Sequence, residues 1–493
     1  MKLKVKFLKW SAGIPVAMLQ KDTAAKLGVK TKGRISLRTL SKYPKELSIL
    51  VDTIEGLVRK NEIVVSSEIR ARMKLRKGQL VDVNLAEMPY SLKFIKKKID
   101  KKKLSKKEIE QIILEIVNNE LSEAEIALFI SAMYIQGMNL KETSYLIKSI
   151  LKYGNTFKLK EKYVVDKHCI GGIPGNRTTP IIVSICAAAG LTMPKSSSKA
   201  ITSAAGTADV IEAIAPVSFS TSDLKKILHK TNAFLVWGGA FEMVPADSKI
   251  IRVEKTLKID PESQLLASIM SKKLAVDSKY ILIDIPYGKT AKVTKQKALK
   301  LKEKFEKLGK YFKKNLKVVL TKGNQPIGNG VGPILELKDV LKILNPQEIG
   351  PKDLEEKSLF LAGKIFEMTK KAKKGKGFQK AQEILSSGKA FEKFKEIIKI
   401  QGGRIREFKF AKFKHNILSK KSGKIIEMDN KQINSLARVA GCPADKASGL
   451  YLYVHKKDKV KKAEKLLTIY SESKFRLNMA IRFYQKNKPI KIK

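Results

Sequence analysis

Val164-Val165-Asp166-Lys167-His168-Cys169-Ile170-Gly171-Gly172-Ile173-Pro174-Gly175-Asn176-Arg177-Thr178-Thr179 reads as a strand that runs into a glycine-rich turn and then into a helix beginning near Thr178. A turn of this kind aims several backbone N–H groups at one spot, and the helix N-terminus adds positive potential there. Its glycines permit close backbone approach and Lys167 supplies a full charge, so the stretch predicts a site for phosphate or another oxyanion. The competing reading is a plain strand–helix turn, because neither the Rossmann glycine spacing nor the Walker lysine–hydroxyl ending is present.

Downstream lies Lys195-Ser196-Ser197-Ser198-Lys199-Ala200-Ile201-Thr202-Ser203-Ala204-Ala205-Gly206-Thr207-Ala208-Asp209, after an apolar helix over Ile181–Ala189. Hydroxyls donate to phosphate oxygens without demanding a counter-charge, and small neighbours let a substrate approach. A flexible linker is the bland alternative, but Ile201, Val210 and Ile211 are spaced for burial. Around these segments, short apolar runs at Tyr163–Val165, Phe234–Trp237 and Tyr280–Ile285 alternate with longer periodic stretches, which predicts a mainly parallel sheet flanked by helices.

Further out the grammar changes. Leu3–Phe7, Arg34–Leu37, Ile63–Ser66 and Leu80–Val83 alternate apolar and polar residues between turns, predicting a small β-rich domain over 1–87. Ile109, Ile112, Ile113 and Ile116, then Ala124, Ile126, Ala127, Phe129, Ile130 and Met133, repeat at helical spacing, and Ser122 with Glu125 makes a capping box. A helical domain therefore spans 88–160, completed by 245–275. The α/β domain follows over 161–345. An α+β appendage covers 346–493, with strands at Lys424–Met428 and Tyr451–Val454 around a helix at Gln432–Ala440. The fold class is thus multi-domain α/β.

The 493 residues carry a formal net charge of +53, which raises nucleic acid as a partner. The distribution argues against it. Of the 100 basic residues 87 are lysine and 13 arginine, and they occur in every region, whereas groove readers favour arginine's bidentate fork. The run Lys96–Lys107 reads as a solvated helix approach or linker in preference to a binding patch, with adventitious, salt-sensitive binding to polyanions. Cys169, Cys186 and Cys442 are too few and too scattered for a disulfide framework or a zinc site. His229, His415 and His455 lack partners at ligand spacing and read as incidental. With no apolar run of about 20 residues and no apolar signal core in Met1–Trp10, the chain is expected to be soluble and cytoplasmic, with no membrane partner.

A third stretch, Val253–Leu274, contains Asp260-Pro261, which looks like an N-cap with proline at the first helical position; Ser268 and Lys272 follow in later turns. Together with Pro245–Asp247 and the turn Asp284–Lys292, these segments resemble the thymidine and pyrimidine nucleoside phosphorylase family over roughly Lys93–Lys493. Lys167–Gly172 matches that family's lysine–histidine–hydroxyl–x–Gly-Gly turn, and Ser197–Thr207 its serine-to-threonine segment. Pro174–Thr179, Ser198–Asp209 and the additional N-terminal domain are similar to the archaeal branch that cleaves nucleoside 5′-monophosphates. The tyrosine and arginine that hold a pyrimidine base in other members fall on Ile250 and Val253, with Arg252 one residue away. Cys169 also departs, standing where many relatives have serine, and a thiol is a poorer donor.

The resemblance implies phosphorolysis of AMP, and of CMP and UMP, to free base and ribose 1,5-bisphosphate. It implies that Lys167, Thr179, Ser197 and Thr207 hold inorganic phosphate and that Gly172, Ser198, Lys199, Ala200, Ile201, Thr202, Ser203, Thr207, Ser268 and Lys292 contact the nucleotide. Asp260 matches the proton donor to the leaving base, a role that competes with helix capping. His168 would touch base or sugar, or serve a structural role. No cofactor is implied, phosphate being a substrate, and no metal, because the developing oxocarbenium ion and the attacking dianion attract each other directly. The partners are the small-molecule substrates and further copies of the chain in a dimer or larger homo-oligomer built with the N-terminal domain; no specific nucleic acid is expected. Three rivals remain: a pyrimidine or thymidine nucleoside phosphorylase, a phosphoribosyltransferase of the anthranilate type, which would need an acidic pair for magnesium-pyrophosphate, and a basic nucleic-acid-binding or scaffold protein on a decayed enzyme fold.

Overall fold

The computed structural model describes residues 1–8, 11, 15–200, 203–239 and 243–493. The chain forms two compact units, one of residues 1–154 and 245–268, the other of 155–244 and 269–493.

In the first unit the strands Lys2–Phe7, Val16–Gln20, Arg34–Thr39, Glu46–Ile54, Glu62–Val65 and Leu80–Leu85 close a barrel in the order first, fifth, second, fourth, third, sixth. Alternation explains it: Leu3, Val5, Ile35, Leu37, Ile49, Val51, Val81 and Val83 all point into one core while their neighbours face out. Pairing of Lys2–Lys4 with Leu80–Asp82 closes the ring and leaves no open edge.

Four helices follow, Leu92–Ile99, Lys106–Asn118, Glu123–Gln136 and Leu140–Lys152, and Pro245–Leu257 packs with them. Three begin with reciprocal capping boxes, Ser105 with Glu108, Ser122 with Glu125 and Asn139 with Glu142. Each satisfies orphan N–H groups that an isolated helix end would leave exposed. Lys249 Nζ donates to the carbonyls of Ile116 (3.0 Å) and Val117 (2.7 Å), fastening Pro245–Leu257 to the negative end of Lys106–Asn118.

The second unit is centred on parallel strands. Val165–Cys169 pairs with Tyr280–Tyr287, which pairs with Asn315–Lys322; Met193–Ser197 pairs with Ala233–Trp237. A parallel bridge between Val164 and Thr192 joins the two ladders, with Val165 N–H to the Thr192 carbonyl at 2.8 Å. From Val165–Cys169 the chain adds its next two strands on one side and the following two on the other. The carboxyl end of that strand is therefore the topological switch point, where open α/β sheets bind ligands. The strand runs on through Cys169, beyond the apolar run Tyr163–Val165, so Lys167 sits within the sheet and is buried. Helix Thr178–Ala188 is apolar all round, and its residues through Ala187 are buried, as such a helix must be.

Antiparallel ladders involving Phe413–Leu418, Gly423–Met428, Gly449–Leu452 and Lys465–Ser471 complete this unit with the helices Asn430–Ala440 and Lys474–Asn487. Among the described residues no helix is long and apolar enough to cross a membrane.

Candidate active site

Lys167 enters from the sheet. Its Nζ donates to Thr178 Oγ1 at 2.7 Å, so the strand's charge meets the first turn of the helix that follows. Burial draws the Lys167 ammonium below the ordinary lysine value, with Asp284 opposing. Between strand and helix, Gly171, Gly172 and Gly175 have φ of +86°, +92° and +70°. A Cβ on Gly172 would stand 2.8 Å from the backbone N of Lys292, and one on Gly175 would stand 2.1 Å from the Ile327 carbonyl oxygen. The turn thus needs glycine for both conformation and space.

Arg177 joins this turn to the serine-rich segment. Its Nη1 donates to Thr207 Oγ1 at 2.8 Å, its Nη2 to the Ala205 carbonyl at 2.8 Å, and its Nε to Glu336 Oε2 at 2.7 Å. Glu336 is buried and also accepts Gly332 N–H at 3.1 Å; burial pushes its carboxyl up while Arg177 opposes. The segment itself is drawn into a loop by Asp209, which accepts the N–H groups of Ala200 (2.6 Å) and Gly206 (2.7 Å). A Cβ on Gly206 would lie 2.4 Å from the Ser198 carbonyl oxygen, which explains the glycine at the loop's neck. Lys199 pairs with Glu212 at 2.8 Å, Ser203 Oγ donates to the Ala205 carbonyl, and Ala204 N–H donates to Asn434 Oδ1.

Beneath both segments lies a buried charge lattice. Asp166 faces Lys273 Nζ at 2.6 Å and Lys195 Nζ at 3.3 Å, while Asp284 faces Lys357 Nζ at 3.1 Å and accepts from Thr321 Oγ1 at 2.6 Å. With Lys167, four lysines stand against two aspartates. Such a floor favours anions above it. It also keeps His168 neutral: burial and the ammonium groups of Lys273, Lys195, Lys272 and Lys167 hold its imidazole well below the usual histidine range. Burial and Asp284 push the Cys169 thiol up, and its sulfur accepts from Asn176 Nδ2 at 3.3 Å, so it stands as a neutral thiol.

Of the residues singled out from the sequence, Lys167, Gly172, Thr179, Ser197, Ser198, Lys199, Ala200, Ser203, Thr207 and Lys292 fall in the second unit. Arg177, Asp209 and the Gly172–Lys292 approach link them there. Thr179 and Thr207 are buried, Ser197 to Ala200 half-buried and Lys292 exposed. Ile201 and Thr202 lie outside the described residues. Asp260 and Ser268 belong to the first unit, Asp260 exposed and Ser268 half-buried. The expected cap is shifted by one residue: the helix starts at Glu262 and the Pro261 carbonyl accepts Leu265 N–H at 2.9 Å, so Pro261 takes the cap position and Asp260 precedes it. Ile250 and Val253 are buried, and Arg252 lies 3.4 Å from Glu123.

Sequence reasoning missed Arg177, Glu336, Lys273 and Lys357 as parts of the site. A signal existed in Asp166 and Asp284, charges inside apolar strand runs, which demand buried partners.

Residues 92–154 match the Glycosyl transferase family, helical bundle domain, and residues 161–391 its a/b domain. The chain is 40% identical to a curated AMP phosphorylase of Methanococcus aeolicus, over 99% of this chain and 97% of that protein. It is likewise 40% identical to one of Thermococcus sibiricus, over 100% and 98%, and 44% identical to one of Pyrococcus abyssi, over 89% and 88%. Among solved structures, anthranilate phosphoribosyltransferase from Thermus thermophilus superposes with a TM-score of 0.51 at 16% identity, covering 63% of this chain and 99% of that one. That likeness is one of fold.

Proposed function

This chain belongs to the AMP phosphorylase family, and we propose that it catalyses the phosphorolysis of nucleoside 5′-monophosphates, converting AMP and inorganic phosphate to adenine and ribose 1,5-bisphosphate. The observation that carries this reading is the join made by Arg177 between the glycine turn and the serine-to-threonine segment, over a floor with more lysines than aspartates. Two phosphates of one reaction, the attacking one and the substrate's own, find donors and cations there.

In the reaction a phosphate oxygen forms a bond to C1′ of the ribose as the glycosidic C–N bond breaks, and that bond's electron pair leaves with the base. Lys167, Thr179, Ser197 and Thr207 hold the attacking phosphate. Holding it beneath the anomeric carbon supplies much of the acceleration. Gly172, Ser198–Ser203, Thr207, Ser268 and Lys292 hold the nucleotide, with lysine and hydroxyls on its 5′-phosphate. Asp260 gives a proton to the departing base, which is otherwise a poor leaving group. His168, neutral, offers a hydrogen bond to base or sugar. CMP and UMP are further substrates of the same site, since apolar Ile250 and Val253 carry no groups that demand thymine. No cofactor takes part. The chain works in the cytoplasm as a homo-oligomer, a dimer or larger, with the N-terminal barrel supporting assembly.

Incubation with AMP, CMP, UMP, adenosine and thymidine, with and without phosphate, tests the reading by release of free base. Phosphate-dependent release from the monophosphates is expected; release from thymidine but not from AMP would overturn it.

A further inference from the structure

We propose that Arg177 is a positioning residue that makes the Thr207 hydroxyl an obligate donor toward a phosphate oxygen. The inference rests on the reading above that Thr207 touches phosphate, and it assigns a reason for an arginine at a place where a small apolar residue would serve a simple turn.

A guanidinium has only donors, whereas a threonine hydroxyl has one proton and lone pairs that accept. Arg177 Nη1 donates to Thr207 Oγ1 at 2.8 Å, so the lone-pair side of that oxygen faces the cation and its proton must point elsewhere. Among the described residues no protein acceptor takes that proton. Thr207 is buried, and a buried hydroxyl proton without a partner is costly, so the arrangement calls for an acceptor brought by a ligand. The same device recurs eleven residues before Thr178, where Lys167 Nζ donates to Thr178 Oγ1 at 2.7 Å.

The guanidinium is rigid. Glu336 accepts from Nε at 2.7 Å and is itself held by Gly332 N–H, while the Ala205 carbonyl, within the segment that Thr207 ends, accepts from Nη2 at 2.8 Å. Only 12% of the Arg177 side chain and 1% of the Glu336 side chain are exposed, so water does not compete for these bonds. Nε, Nη1 and Nη2 of Arg177 each donate within the protein, one of them to Thr207. Its part is to orient a hydroxyl before substrate arrives, the preorganisation that makes donors effective where negative charge must be held.

The experiment compares wild type, Arg177→Met, Arg177→Lys, Thr207→Val and the double variant Arg177→Met/Thr207→Val. One arm titrates phosphate at saturating AMP and the other titrates AMP at saturating phosphate. Arg177→Met is expected to raise one KM by about 10-fold or more, the scale of a lost charge-assisted hydrogen bond. A rise in the phosphate KM identifies the attacking phosphate as the acceptor, and a rise in the AMP KM identifies the 5′-phosphate. Arg177→Lys, which keeps one donor, should recover part of the loss, and Arg177→Met should add less than about two-fold on top of Thr207→Val. Independent effects of the two changes, or a lowered melting temperature with both KM values unchanged, would overturn the proposal. If Arg177→Met does not fold, Glu336→Gln, which loosens the guanidinium and keeps the volume, takes its place with the same expected direction. If wild type releases no base from any nucleotide, the functional reading fails separately. Calorimetric titration of inorganic phosphate and of AMP into wild type and Arg177→Met then decides the proposal: weakened binding of either upholds it, and equal binding of both overturns it.

Discussion

Lys273 Nζ lies 2.6 Å from Asp166 Oδ2, and neither side chain is exposed to solvent. Asp166 also faces Lys195 at 3.3 Å, so one carboxylate serves two buried ammonium groups. Removing it strands both. Asp166→Asn is expected to cost about 3–5 kcal/mol of stability, the scale for breaking a buried pair. Lys273→Met should cost less, because Asp166 keeps Lys195. Urea titration of the two variants checks the order.

Asp339 is a carboxyl whose burial pushes it up to about 6, although the N–H groups of Asn329 and Gly330 donate to its Oδ2 at 2.7 Å. In the window between its unfolded value of 3.8 and about 6 the folded chain binds more protons than the unfolded one. Stability from this group is therefore present at low pH and is lost as pH rises through that window. The stability difference between wild type and Asp339→Asn should change in that sense by on the order of 3 kcal/mol from pH ~4 to ~7. A flat difference over this range, measured by denaturant titration at each pH, would remove the assignment.

Asp260 is the proton donor we propose. Asp260→Asn is expected to lower kcat for AMP by about 10²–10⁴-fold while leaving the AMP dissociation constant within about three-fold, the signature of an interaction made in the transition state. Full turnover by the variant would show that another group protonates the base and leave the overall reaction standing.

Gly175 and Gly190 have nearly equal φ, +70° and +75°, but differ in surroundings. A Cβ on Gly175 meets the Ile327 carbonyl at 2.1 Å, whereas one on Gly190 meets nothing within 4 Å. Gly190→Ala should cost only the left-handed backbone term, about 1–2 kcal/mol. Gly175→Ala should cost more and also lower activity, since relieving the clash with Ile327 shifts the turn that carries Asn176 and Arg177. Thermal melts and AMP turnover on the two variants check the contrast.

Local chemistry was legible. The barrel strands around Leu3, Ile35, Ile63 and Val81 follow from a period of two, the helix over Ile109–Ile116 from a period near 3.6, and its neighbour's start from Ser122 and Glu125. Val16–Gln20 and Glu46–Ile54 escaped notice although they alternate too, with Ala17, Leu19, Ile49 and Val51 in the core; which strands they pair with is set by the closed barrel.

The glycine turn after Lys167, the hydroxyl-rich segment ending at Thr207 and Asp260 before a helix were all set by residues near one another along the chain, and so the sequence by itself determined them and the family they mark. The tertiary structure alone decided what joins the turn to the hydroxyl-rich segment. Glu336 reaches Arg177 across 159 positions and Lys273 reaches Asp166 across 107. The reversal of strand order beside Val165–Cys169 likewise puts the turn at the sheet's switch point. A buried charge announces that it needs a partner, because desolvation without one is too costly. Which of the chain's many lysines answers is a matter of packing, and packing is settled only when the whole sheet has formed.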